Sequence, residues 1–257
     1  MYKDLINKSI IISGGSGFLG LQFSRGFLKS KTNVIILDIK KPNLNNRKLF
    51  FYKCDITNEE EVLKVSKIIK SKFKNINALI NNAAIDYNPK NFKNKKNELS
   101  LENFNLNIWN RDLEVGLKGS LITTKIFGTI MSKQKKGGKI INISSDLGII
   151  APDQRIYKIF NFVKPITYSV IKHGIIGLTK YTAAYWGNKN VCCNAIAPGG
   201  MENGQNSKFI KKLSNLIPLG RMAKKNELNH LVQFLSSESS NYITGSTIVI
   251  DGGRSII

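Results

Sequence analysis

The chain has 257 residues, 42% of them hydrophobic, which is enough for a substantial core in one α/β domain or two small ones. Its formal charge of +22 points to anionic partners, yet the excess lysines are scattered in short clusters such as Lys135-Lys136 and Lys211-Lys212. That scatter argues against a nucleic-acid-binding stripe and reads most simply as compositional bias, with a small acidic or phosphate-bearing substrate as the alternative. No apolar run approaches bilayer length, and the N-terminus lacks a signal-peptide pattern, so no membrane partner and a cytoplasmic location are expected.

In chain order, short apolar β-branched runs alternate with longer amphipathic stretches. Ser9–Ser13, Asn33–Asp38, 78–82, 139–144, 191–197 and Thr247–Ile250 read as strands, and a third-counted strand precedes Cys54-Asp55-Ile56-Thr57. Residues 17–30, 58–73, 107–133, 168–186 and 225–235 read as helices. Continuous apolar strands separated by helices predict an α/β fold: a doubly wound parallel sheet covered on both faces, in three layers. No repeat, Pro-rich linker or charge block divides residues 1–257, so a single domain is expected. Segments 86–103 and 148–167 look inserted after strand carboxyl ends, where open α/β sheets bind ligands.

The first strand runs into Ser13-Gly14-Gly15-Ser16-Gly17-Phe18-Leu19-Gly20 and then a helix. Glycines there permit a tight turn and close backbone approach to a pyrophosphate, which a helix N-terminus attracts. The second strand ends in Asp38, a carboxylate suited to both ribose hydroxyls and repulsive to a 2′-phosphate. That favours NAD over NADP, although Lys40 and Lys41 could soften the preference. Asp55, with Ile56 beside it, reads either as a nucleotide contact or as a helix N-cap.

Tyr168 and Lys172 lie four residues apart in a predicted helix, on one face, so the ammonium can sit beneath the phenol oxygen. A nearby cation favours the phenolate and makes tyrosine a usable acid/base near neutral pH. An exposed helical Tyr–Lys pair is the plainer alternative for these four residues alone. Cys54, Cys192 and Cys193 form no metal spacing and read as reduced core thiols. With only His173 and His230, no metal site is expected.

Taken with Asn81-Asn82-Ala83-Ala84 after the fourth strand, these residues resemble the short-chain dehydrogenases/reductases, from the first strand to Asp251-Gly252-Gly253. The resemblance implies a Rossmann-type fold and an NAD(P)-dependent oxidoreductase. Gly14, Ser16, Gly17, Phe18, Leu19 and Gly20 would take the pyrophosphate, with Asp38 on the ribose. Asp55 and Ile56 would contact adenine, and Asn82, Ala83 and Ala84 would pass behind the adenosine ribose. Pro198 and Gly199, in Ala197-Pro198-Gly199-Gly200, would face the nicotinamide. Ser145, in Asn142-Ile143-Ser144-Ser145, would be the catalytic serine, with Ser144 the alternative. Tyr168 would exchange a proton with the substrate, and Lys172 would hold the nicotinamide ribose. Family members form tetramers or dimers, and this implies a homotetramer or homodimer built on 107–133 and 168–186.

Three departures stand out. The glycine loop has the GxxGxxG spacing of longer sugar-nucleotide members. The usual relay asparagine is replaced by Gly116, where a water could occupy the vacated space. Ser145 and Tyr168 are 23 residues apart, longer than the family pattern, so about 150–164 would form a lid over the active site. Tyr157 falls nearer the usual spacing, but Asn161 stands where its lysine should be. The lid and the turn after 191–197 look similar to members associated with bacterial surface-sugar and flagellin-glycan pathways. Asp153, Gln154, Arg155, Gly200, Asn203 and Gln205 are therefore the candidate substrate contacts, for a sugar-derived small molecule. The expected reaction interconverts a secondary alcohol and a ketone. A 3-oxoacyl reductase and a non-catalytic NAD-binding module are the alternatives.

Overall fold

Seven parallel strands form one sheet in the order β3-β2-β1-β4-β5-β6-β7 in the computed structural model, which describes residues 2–85, 87 and 96–257. The strands are β1 (Ser9–Ser13), β2 (Asn33–Asp38), β3 (Leu49–Lys53), β4 (Ala78–Asn81), β5 (Gly138–Ile143), β6 (Val191–Pro198) and β7 (Thr247–Ile250). The helices are α1 (Phe18–Lys29), α2 (Glu59–Lys72), α3 (Lys96–Leu99), α4 (Leu106–Leu113), α5 (Gly119–Ser132), α6 (Ile166–Trp186), α7 (Ser207–Ser214) and α8 (Asn229–Ser236). Every strand of β1, β4, β5 and β6 is buried throughout, which is why these segments are apolar without alternation. Segment 86–95 of the predicted first insertion lies outside the described residues, apart from Tyr87.

Two cores sandwich the sheet. One holds Ile11, Ile35, Leu79 and Ile140 against α2 and α5, with Val62, Ile69, Ile126 and Phe127. The other holds Ile10, Ile12, Ile36 and Ile141 against α1 and α8, with Phe23, Phe27, Val232 and Leu235. Adjacent residues of one strand thus enter opposite cores, as the period-two geometry of a strand requires. The strand order changes direction between β1 and β4, and that switch point opens a crevice at the strand carboxyl ends.

The predicted helix over 107–133 is three pieces. Between α4 and α5 the backbone widens to a π turn over Glu114–Lys118 that carries Gly116. Helix α7 had no sequence expectation, and α6 begins two residues before Tyr168. A third apolar cluster sits above the carboxyl edge, where Tyr157 and Phe162 of the lid meet Leu213 of α7, Ile217 and Met222. It is a small roof, separate from the two cores. Among the described residues no helix is long and apolar enough to cross a membrane.

Candidate active site

A cleft of about 1150 Å³ runs along the carboxyl edge and joins the glycine turn to the predicted catalytic residues. At one end Gly14 adopts φ +63°, and a Cβ there would lie 2.6 Å from the Ala83 Cα. Only glycine fits that conformation and that approach without strain. The Asn82 side chain donates to the Gly14 carbonyl at 2.9 Å and so ties the end of β4 to the turn. Asp38 holds the turn from the other side: its carboxylate accepts from Ser16 N at 2.9 Å and from Lys40 N at 3.0 Å. Gly14, Ser16, Gly17, Phe18, Leu19, Asp38, Asp55, Ile56, Asn82, Ala83 and Ala84 all line this end. Gly20 packs beneath it against Gly14 and Gly15. Asp55 is not the helix cap: Asn58 accepts from Glu60 N and Glu61 N, while the Asp55 carboxylate turns back onto Thr57.

The other end is built where β5 leaves the sheet. Ser145 Oγ donates to Asp146 Oδ1 at 2.8 Å and accepts from Leu147 N at 3.2 Å. Asp146 in turn accepts from Arg254 at 2.7 Å, a buried ion pair with side chains 3% and 6% exposed. Arg254 thus ties the C-terminal segment to the serine loop. Ser144 points elsewhere: its hydroxyl donates to the Lys172 carbonyl at 2.7 Å and straps α6 to β5. Both serines line the cleft; the Ser144 hydroxyl is engaged by α6, whereas the Ser145 hydroxyl bonds within its own loop.

Tyr168 and Lys172 line the same wall. Lys172 is buried, its Nζ donates to the Ile143 carbonyl at 2.8 Å, and it stands 5.6 Å from the Tyr168 ring centroid. The pair therefore lies on the face of α6 that looks into the cleft. Pro198, Gly199 and Gly200 close the floor, and Asn203 and Gln205 lie on the rim.

Several expectations are corrected. Asp153, Gln154 and Arg155 do not line the cleft. Arg155 and Asp153 pair with each other in solvent at 2.8 Å, and Gln154 clamps the Lys164 backbone through both of its amide atoms. Their polarity suggests substrate contacts, but their partners lie within the lid itself. Gln205 reaches the rim with its amide engaged by Met201 O and Asn203 N. At Gly116 no space is vacated, because a Cβ would lie 2.7 Å from Ile171 Cγ2. Ile171 fills the position that a water could otherwise take.

Sequence reasoning missed Tyr87, Arg111, Lys164, Phe209, Met222 and Arg254, all of which line the cleft. Tyr87 donates to buried Asp112 at 2.6 Å and accepts from Arg111 at 2.7 Å, while Thr167, just before Tyr168, donates to the second Asp112 oxygen at 2.7 Å. Burial pushes the Tyr87 phenol up to about 12, with the Asp112 carboxylate adding to the shift. Nothing local in the sequence marks this network, because its members come from three separate segments. Among the described residues there is no cluster of three metal-ligating side chains.

Fold and cleft together define a nucleotide-dependent oxidoreductase of the open α/β class. Residues 19–255 match the family model described as Enoyl-(Acyl carrier protein) reductase. The chain belongs to the short-chain dehydrogenase/reductase family of NAD(P)-dependent oxidoreductases. It is 30% identical to a 3-oxoacyl-acyl-carrier-protein reductase of Thermotoga maritima, over 97% of this chain and 98% of that protein. It is 28% identical to glucose 1-dehydrogenase 2 of Bacillus subtilis, over 100% of this chain and 98% of that protein. A solved short-chain dehydrogenase of Leptospira borgpetersenii with bound NAD+ superposes with a TM-score of 0.88 at 30% identity, covering 98% of this chain and 94% of that one.

Proposed function

We infer that the protein is an NAD-dependent oxidoreductase that interconverts a secondary alcohol and a ketone on a sugar-derived substrate. The observation that carries this reading is a single cleft that joins the glycine turn and Asp38 to Ser145, Tyr168 and Lys172. The residues fit the dinucleotide. A side chain at Gly14 would fill the cradle, and Asp38 presents a carboxylate where a 2′-phosphate would be repelled. Gly14, Ser16 and Gly17 would hold the pyrophosphate, Asp38 and Asp55 the adenosine half, and Lys172 and the Pro198-Gly199 turn the nicotinamide half. When bound, the nicotinamide supplies the hydride acceptor or donor.

The chain's own residues do the rest. Ser145 orients the substrate oxygen by redirecting its hydroxyl proton from Asp146. Tyr168 takes the proton of the alcohol during oxidation and returns it during reduction. Lys172 lowers the cost of negative charge on the phenol, as an adjacent ammonium does.

The anionic and sugar-derived character of the substrate is supported by Arg111 and Lys164 on the cleft wall and by relatives such as the Bacillus glucose dehydrogenase. A 3-oxoacyl reductase is the second reading, favoured by the apolar wall of Phe209, Leu213 and Met222, which suits an acyl chain. We also place subunit assembly, as a dimer or tetramer, on α5 and α6, where Leu121, Tyr181 and Tyr185 are exposed. A panel of sugar phosphates, nucleotide sugars, hydroxysteroids and acyl thioesters, each with NAD(H) and NADP(H), tests the assignment. Turnover of sugars with NAD supports it; turnover only of acyl thioesters with NADPH establishes the second reading.

A further inference from the structure

The geometry points to Lys164 as a second cation acting on Tyr168, a positioning residue that the lengthened lid delivers onto the phenol. The inference rests on the reading of Tyr168 as the acid/base. Lys164 is only 9% exposed, lines the cleft, and places its Nζ 3.8 Å from the Tyr168 ring centroid, closer than Lys172 at 5.6 Å. The two ammoniums come from different elements, one from the lid and one from α6.

The lid holds Lys164 in place. Gln154 Oε1 accepts from Lys164 N at 3.0 Å, and Gln154 Nε2 donates to Lys164 O at 2.9 Å. Pro165 follows at once, fixes its own φ, and precedes the first turn of α6. Thr167 is anchored to Asp112. The residue is thus restrained from both sides, and the extra length between Ser145 and Tyr168 gains a physical role.

An ammonium over an aromatic face is attracted by the ring quadrupole, and more strongly once desolvated. When the phenol ionises, the same cation meets a full negative charge on the oxygen. A cation within this range lowers an acid's pKa by roughly 1–3 units. Lys172 acts on the same phenol from within α6, so the two ammoniums reinforce each other. Among the other charged groups at this end of the cleft, Asp146 is paired with Arg254, Arg111 is bonded to Tyr87, and Glu114 is paired with Lys118.

Ultraviolet absorbance titration of phenolate tests this without any substrate. Subtracting the Tyr168→Phe curve from that of the wild type isolates Tyr168 among the eight tyrosines. The same subtraction is made in a Lys164→Met background, with folding judged by circular dichroism and NAD affinity. The phenolate midpoint should rise by about one pH unit or more in Lys164→Met and return in Lys164→Arg. The acid limb of kcat/KM should follow it. An unchanged midpoint in folded Lys164→Met overturns the proposal, as does a KM rise confined to anionic substrates with the midpoint unmoved. If Lys164→Met does not fold, Gln154→Ala releases the lysine backbone with the charge kept; a raised midpoint supports the role and an unmoved one ends it. Full turnover in Tyr168→Phe would instead sink the acid/base reading, an outcome visible apart from any effect of Lys164.

Discussion

Gly116 shows how a single position can mislead when read without its neighbours. The glycine suggests room beside Lys172, yet Ile171 occupies that room. Installing the family asparagine should therefore be an overpacking change. Gly116→Asn is expected to cost about 1–3 kcal/mol in urea denaturation. Adding Ile171→Ala to the variant should recover part of that loss, a coupling that a double-mutant cycle measures. Arg254 presents the opposite situation, because its partner is buried and charged. Arg254→Met leaves Asp146 unpaired beside Ser145 and should cost about 3–5 kcal/mol. The same variant should lower kcat, since the loop that carries Ser145 loses its anchor. Stability within 1 kcal/mol of the wild type would show that Asp146 does not depend on this pair.

At the scale of elements, the lid is tied together by two separate sets of side-chain bonds. Asp153 and Arg155 are bound to each other in solvent, whereas Gln154 between them closes on Lys164. The double variant Asp153→Ala/Arg155→Ala should leave kcat/KM within about twofold, because exposed ion pairs contribute 0–1 kcal/mol. Gln154→Ala should open the lid, seen as faster cleavage of 148–167 in limited proteolysis and a higher KM. Three successive polar residues read alike in sequence, and only the fold of the lid assigns the clamp to one of them. The helical segment over 107–133 was legible as helix because its apolar spacing persists across α4 and α5. Its π turn was not, since widening one turn changes register without changing composition.

The whole molecule was most legible where burial is continuous. Strands β1, β2, β4, β5 and β6 are apolar runs because helices cover both faces, and such runs announce a parallel sheet. Edge strand β3 received no bounds from the sequence: its residues Leu49–Lys53 are only partly buried and pattern weakly. The nucleotide end was readable because glycine turn, strand end and Asp38 are close in sequence. The other end of the cleft was not, because Tyr87, Lys164, Phe209 and Arg254 converge from four distant segments.

The cysteines report on the whole fold. Burial pushes the thiols of Cys54 and Cys193 up to about 12. Both pKa values are raised above the ordinary 9.0, so folding keeps these thiols protonated and their contribution to stability declines as pH rises from about 9 toward 12. A disulfide-exchange reagent at neutral pH should label Cys54 and Cys193 only at the rate of unfolding; rapid labelling of the native protein would show an opening that the cores do not predict.

The most direct test of the central claim is NADH formation by the wild type and by Tyr168→Phe across a panel of secondary alcohols, with NAD affinity measured alongside. The wild type should reduce NAD with at least one sugar-derived alcohol, and Tyr168→Phe should lose roughly 10²–10⁴-fold in turnover while binding NAD as before. Undiminished turnover in Tyr168→Phe, or reduction of NADP in preference to NAD, would contradict the account.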